Sequence, residues 1–471
     1  MSQMSEYIFP KISPDHQIQK SELINLISPP CKMTKEVSSG KNLKSYKNQK
    51  NLKPSRPQIS QKYRLAKKEK KPKEKSKKEF DSIQEVNKNE ESIIIEEFEV
   101  EGDVFQFVHD SEDVVQENGR MTMRRIGLDL GTKHIVVSEK INGEVKSKYE
   151  MNGYLILPRS DNFTEQLLIR QKVPYVRRDN QLIAIGAKAE KLAYSFNKNL
   201  CRPMAEGSIS KSDDDAQTII ATIIKSIIGK VSGDALLYYC TTAKSINSEN
   251  LNVDFHKKVV KHIIESYAGA NIKARHVNEA RCLIFDELGE AVGISWGAGT
   301  VTVHAGVFGV PIFEFSVTGS GDFIDIEAAK QFGYDPQNPH KDSKETPTTI
   351  CRRKESIDLK KMPSDNVGRV IYMMYDILIE NVVRNIFKGF DEYKSKFRFD
   401  KPVNVINAGG TSMPNGFIDL LKREFDKYKS KSPIPIGEVK HAEDPLFAVS
   451  KGCLFAAEAD KDDENVEKGK E

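Results

Sequence analysis

Met123–Gly131, MRRIGLDLG, and His134–Gly143, HIVVSEKING, read as two strands joined by a tight glycine turn. Asp129 sits in the first strand between Leu128 and Leu130. A carboxylate there is costly unless it holds a ligand or accepts from donors. The same strand, glycine turn and strand return over Ala291–Val310, around Gly293–Thr300, GISWGAGT. A third turn, Asn407–Ser412, NAGGTS, follows the apolar run Val403–Ala408. Glycine lets backbone N–H groups approach phosphate oxygens closely, and successive N–H groups in a turn make an anion nest. Thr132 and Thr300 can add hydroxyl donors, and Asp129 can hold Mg²⁺ through water. The third turn leaves room for an adenosine face. Neither the G-x-x-x-x-G-K-[ST] pattern nor a G-x-G-x-x-G opening a helix occurs here, which disfavours P-loop and Rossmann chemistry. Taken singly, each turn reads as readily as a plain tight turn; their order and spacing carry the information.

Outward from these turns, Ala216–Ile228, Phe255–Tyr267 and Val370–Phe387 carry apolar residues at helical spacing, and Asp234–Cys240 reads as a buried strand. A last helix is expected from near Asp444 and Pro445. The paired strand–turn–strand units imply an α/β protein of two similar lobes with mixed β-sheets flanked by helices. The chain is 471 residues long, 38% hydrophobic and 30% charged, against roughly 45–50% and 25% in ordinary globular chains. The deficit points to a disordered part. Residues 41–79 hold 16 basic and 3 acidic residues, and residues 80–118 hold 1 and 13, so the net charge of +4 hides two opposed blocks. Residues 1–120 therefore read as a disordered charged extension. Within it Ser92–Val108 alternates apolar and acidic residues, and a strand or partner-binding stretch stands beside disorder as its reading. The basic block could meet an unknown acidic partner or, peripherally, an anionic membrane, or it could simply be solvated; no specific nucleic-acid motif is present. No run of about 18 apolar residues occurs, and no secretory signal is legible. Six scattered cysteines without a C-x-x-C pair argue against a zinc site or disulfide framework and for a reducing, cytoplasmic setting. His134, His276 and His304 are isolated and read as structural.

The three turns, in this order, resemble the phosphate and adenosine loops of the actin-like ATPase superfamily, whose fold is ribonuclease H-like. The closest resemblance is to bacterial actin homologues of the MreB and ParM type. HVNEARCLIFDELGE (276–290) is similar to the family's connecting segment, SVTGSGDFIDIEAAKQFG (316–333) to the one after the second loop, and AEDPLFAVSKGCLFAAE (442–458) to its last helix. RPMAEGSIS (202–210) resembles a segment of MreB proteins. The resemblance implies a first lobe over 124–290 completed by helix 442–459, a second lobe over 291–441, and a charged tail over 460–471.

It also implies a site and an activity. ATP with Mg²⁺ would lie between the lobes, contacted by Gly131, Thr132 and Lys133, by Ser295, Gly297, Gly299 and Thr300, and by Gly409, Gly410 and Thr411. Asp129 would stand in the metal's water shell, and Glu279 would orient the attacking water or, on the plainer reading, cap a helix. Gly319, Gly321, Asp322 and Asp325 would lie near the ribose or the hinge, or form an ordinary turn. Ser295 stands where the family usually has Asp, Ala298 where Gly is commoner, and Ala280 where Pro is usual. The expected function is a Mg-dependent ATPase assembling head to tail into cytoskeletal filaments. The alternative is a non-hydrolysing or weakly hydrolysing adaptor of the same fold, recruiting partners through its charged tail.

Overall fold

The computed structural model describes residues 123–460, with gaps at 160–161, 179, 197, 199, 211–214, 230, 232, 250, 268–271, 288, 339–342, 397–398, 400 and 431. Upstream it also describes three strands, β1 (Ile83–Val86), β2 (Ile93–Val100) and β3 (Asp103–Asp110). β2 and β3 occupy the Ser92–Val108 stretch for which the sequence left a strand and disorder both open. The basic block and the final tail, 461–471, lie outside the described residues.

In the first lobe, β4 (Arg124–Leu130), β5 (His134–Ile141) and β6 (Glu144–Met151) form an antiparallel meander. A side unit follows: β7 (Tyr154–Pro158), α1 (Asn162–Arg170), β8 (Tyr175–Arg178), β9 (Gln181–Ile185) and α2 (Ala187–Ser195). Its sheet runs β1-β2-β3-β8-β9-β7, so the upstream strands extend it through the β3–β8 pairing. A short hairpin, β10 (Met204–Ala205) and β11 (Ser208–Ile209), leads to α3 (Ala216–Ile228). Then β12 (Ala235–Thr241), α4 (Val253–Tyr267) and β13 (Ile272–Asn278) complete the sheet β13-β12-β4-β5-β6, with β12 parallel to both β4 and β13.

The second lobe repeats that plan. β14 (Ala291–Trp296), β15 (Thr300–Val307) and β16 (Val310–Thr318) make the meander. After α5 (Gly321–Gln331), α6 (Pro347–Glu355) and α7 (Asn366–Tyr393), β17 (Val403–Ala408) joins β14 in parallel. Beyond α8 (Phe417–Lys429), β18 (Ile436–His441) closes the order β16-β15-β14-β17-β18. The last helix, α9 (Ala448–Ala459), starts later than the sequence suggested. Asp444 sits at φ +49°, a left-handed backbone that a helix cannot contain, so 444–447 is a turn.

Strand alternation aims the first-lobe chemistry. Ile126, Leu128 and Leu130 point into the core with Ile219, Ile223 and Ile227 of α3, spaced four apart on one helix face. Gly127 and Asp129 therefore take the opposite face. At Gly127 the α9 backbone arrives: a Cβ there would lie 2.1 Å from the Ser450 carbonyl oxygen and 2.3 Å from the Leu454 nitrogen. α9 thus returns from the second lobe onto β4, and Asp129 is left at the floor of the gap between the lobes.

Candidate functional site: the interlobe cleft

The β4–β5 and β14–β15 turns are built alike. The Gly131 N–H donates to the His134 carbonyl (3.0 Å), and the Gly297 N–H to the Thr300 carbonyl (2.9 Å). Those two N–H groups are spent closing the turns. The N–H groups of Thr132, Lys133, Ala298 and Gly299, at the tips, are taken up by no described partner. Asn152 braces the first tip, donating from its side chain to the Gly131 carbonyl (3.0 Å) and from its backbone to the Lys133 carbonyl (2.8 Å).

The tips face each other. A Cβ on Gly299 would fall 2.6 Å from Thr132 Oγ1 and 2.7 Å from the Gly207 nitrogen, so only glycine fits there. Gly207, at the end of the β10–β11 hairpin, donates its N–H to Thr132 Oγ1 (3.2 Å). The third turn joins through Thr411, whose hydroxyl donates to the Gly297 carbonyl (2.7 Å). All three turns line one cavity of about 320 Å³, together with Glu279, Asp322 and Asp325. The cavity also takes in Asp129, Thr132, Lys133, Ser295, Thr300, Gly409 and Gly410. Gly319 and Gly321 are outside its lining; Gly321 sits behind it, its carbonyl accepting from Lys354 Nζ (2.6 Å).

The floor is acidic and poorly solvated. Burial pushes the Asp129 carboxyl up to about 6, against the Cys240 thiol, which donates to it at 3.3 Å. Burial, and then the Asp129 charge, push Glu279 up to about 8. Donor atoms of Asp129, Cys240 and Glu279 lie within 4.8 Å of one another. Such acids lack the positive charge that would hold them ionised, which is what a cation or cationic complex in the cleft provides.

The walls carry the opposite sign in places. The Lys133 ammonium reaches across the cleft to Glu355 and to Cys351 Sγ (3.3 Å). Arg202 bridges to Asp322 in the other lobe (2.7 Å). Lys354 and Asp325, both buried, pair at 2.8 Å. Sequence reasoning missed Cys351, Lys354 and Glu355. They come from α6, fixed by a Thr346 capping box with Pro347 in its first turn, and their spacing puts all three on one helix face. The TPTT start was the available signal for that helix. Asn152, Cys240 and the Arg202 bridge were missed as well; Arg202 lay in a quoted segment without a role. Of the histidines, His134 lines the cleft, and burial, with Lys133 beside it, lowers it to about 4. His276 meets the Thr241 hydroxyl (2.7 Å), and His304 meets Glu314 (3.3 Å).

A protein-family model described as Volactin matches residues 123–457, the whole two-lobed region. The chain belongs to the Volactin family. Among solved structures, a MamK double helical filament superposes with a TM-score of 0.53 at 17% identity, covering 72% of this chain and 99% of that one. A non-polymerising MamK mutant bound to AMPPNP covers the same shares at 17% identity with a TM-score of 0.43. No curated protein matches. The Volactin-family chain thus has the actin-like fold shared by bacterial actin homologues, with two mixed sheets flanked by helices. No described helix of this family member is long and apolar enough to cross a membrane.

Proposed function

We propose that this chain binds ATP with Mg²⁺ between its lobes and assembles head to tail into cytoskeletal filaments, turning ATP over slowly as it does so. The observation that carries this is the meeting of the Thr132 and Gly299 tips over one cavity, with the Gly409–Thr411 turn along its wall. The free N–H groups at the two tips bind phosphate oxygens from opposite sides, so a triphosphate ties the lobes together. Asp129 is the group to hold Mg²⁺ through water, and the paired acids at the floor fit a cation. When bound, Mg²⁺ neutralises charge on the β- and γ-phosphates. Glu279 orients a water through a hydrogen bond. Gly409, Gly410 and Thr411 contact the nucleoside. MamK, whose fold this chain shares, builds a double helical filament, which supports the assembly reading; loss of the γ-phosphate frees the lobes to open.

Ser295 favours a second reading, a nucleotide-binding adaptor that hydrolyses weakly or not at all. Its hydroxyl lines the cleft but brings no charge to metal-bound water. Electron microscopy and pelleting of the full chain with and without Mg-ATP, beside a phosphate-release assay, decide between them. Filaments that need ATP, with slow release lost in Glu279→Ala, support the first reading. Tight ATP binding with neither assembly nor release supports the second. Absence of nucleotide binding by calorimetry overturns both.

A further inference from the structure

The chain crosses between its lobes twice in this region. It leaves the first lobe after β13 through Glu279 and the 3₁₀ turn Arg281–Ile284, and it returns through α9 onto β4. The two crossings touch. A Cβ on Gly452 would lie 2.5 Å from Cys282 Cβ, so the helix backbone rests directly on the turn. Beside that contact, Cys282 Sγ and Cys453 Sγ are 3.6 Å apart. Both thiols are free and buried, in a cluster that draws Val277 from one lobe and Ala291 and Ile406 from the other. Sequence spacing gave no hint of this pair, since the second lobe lies between its members.

We propose that Cys282 and Cys453 are a redox modification site, at which a hydroperoxide forms a disulfide that joins the two interlobe crossings. One sulfur attacks a peroxide oxygen, becoming a sulfenic acid and releasing water or an alcohol. The second sulfur then attacks the sulfenic sulfur, the S–S bond forms, and the oxygen leaves as water. Two thiols lose two electrons and two protons, and one peroxide is reduced. The packed form protects the pair, because burial holds the Cys453 thiol well above its usual range and thiolate is the reactive species. Parting of the crossings exposes it, so the rate of oxidation reports hinge opening. Cys240, whose thiol donates to Asp129, shares the buried cluster of Cys282 and Cys453, so the bond bears on the cleft floor.

The test exposes the reduced full-length chain to hydrogen peroxide, then denatures, alkylates and digests it for mass spectrometry. Expected is a peptide pair linked through Cys282 and Cys453, two hydrogens lighter than its parts, appearing after the exposed Cys201 has reacted and reversed by a dithiol. The oxidised form should melt higher, because the bond closes a loop with a separation of 171 residues. Cys282→Ser and Cys453→Ser should each lose the link and the rise. Recovery of both cysteines as alkylated thiols once Cys201 is fully oxidised overturns the proposal, and so does a link from either to Cys240. The readout is covalent, so it stands or falls independently of nucleotide binding.

Discussion

Glu279 and Asp129 are two acids on one poorly solvated floor, and their proton affinities give the first prediction. Both carboxyls hold protons above their ordinary values, at about 8 and about 6, chiefly because burial penalises the charge. The folded state then binds more protons than the unfolded chain between about pH 4 and pH 8. Stability from this source is greatest at the acid end of that window and declines as pH rises through it. Glu279→Gln should flatten the decline and leave the nucleotide-free protein about 2 kcal/mol more stable at pH 8; thermal melts from pH 5 to 8 read it. Mg-ATP should suppress the same decline in the native chain if the cleft takes a cation. Asp129→Ala should abolish the Mg-dependent part of nucleotide affinity by calorimetry, and unchanged binding would refute its placement.

Among the elements, β4 and α9 depend on each other. Gly127→Ala drives a methyl into the Ser450 and Leu454 backbone, which neither strand nor helix can yield cheaply. The expected cost is about 3 kcal/mol, seen as a lower urea midpoint. The side-unit sheet makes a different prediction. β3 covers one edge of β8, whose other edge pairs with β9, so a chain starting at Met123 leaves the outer edge of the Tyr175–Arg178 strand bare. Bare edges template association, and light scattering should show that truncated chain forming aggregates that need no nucleotide. Element positions were well marked in the sequence where the pattern is local. Ala216–Ile228 and Val403–Ala408 appear with the bounds that apolar spacing predicted. The start of α9 was not legible, because it depends on the left-handed backbone at Asp444.

Across the whole molecule, Lys133–Glu355 and Arg202–Asp322 are ion pairs that span the cleft from one lobe to the other. They tie the two lobes together through charge. Each is partly exposed, so a double-mutant cycle on Arg202 and Asp322 should give a coupling of only about 0.5–1 kcal/mol, weakened by salt. A coupling near zero at low salt would show that the bridge does not restrain closure.

The sequence alone determined the duplicated strand–turn–strand plan and the three glycine turns, because alternation, helical spacing and glycine are properties of neighbours in the chain. It also marked Asp129, between Leu128 and Leu130, as an acid that needs a ligand or donors. The tertiary structure decided which groups meet: Thr132 with Gly299, Lys133 with Glu355, Asp129 with Glu279 and Cys240, and Cys282 with Cys453. Those pairs are set by how one lobe lies on the other and how the last helix returns, and distances of that kind leave no period in the chain.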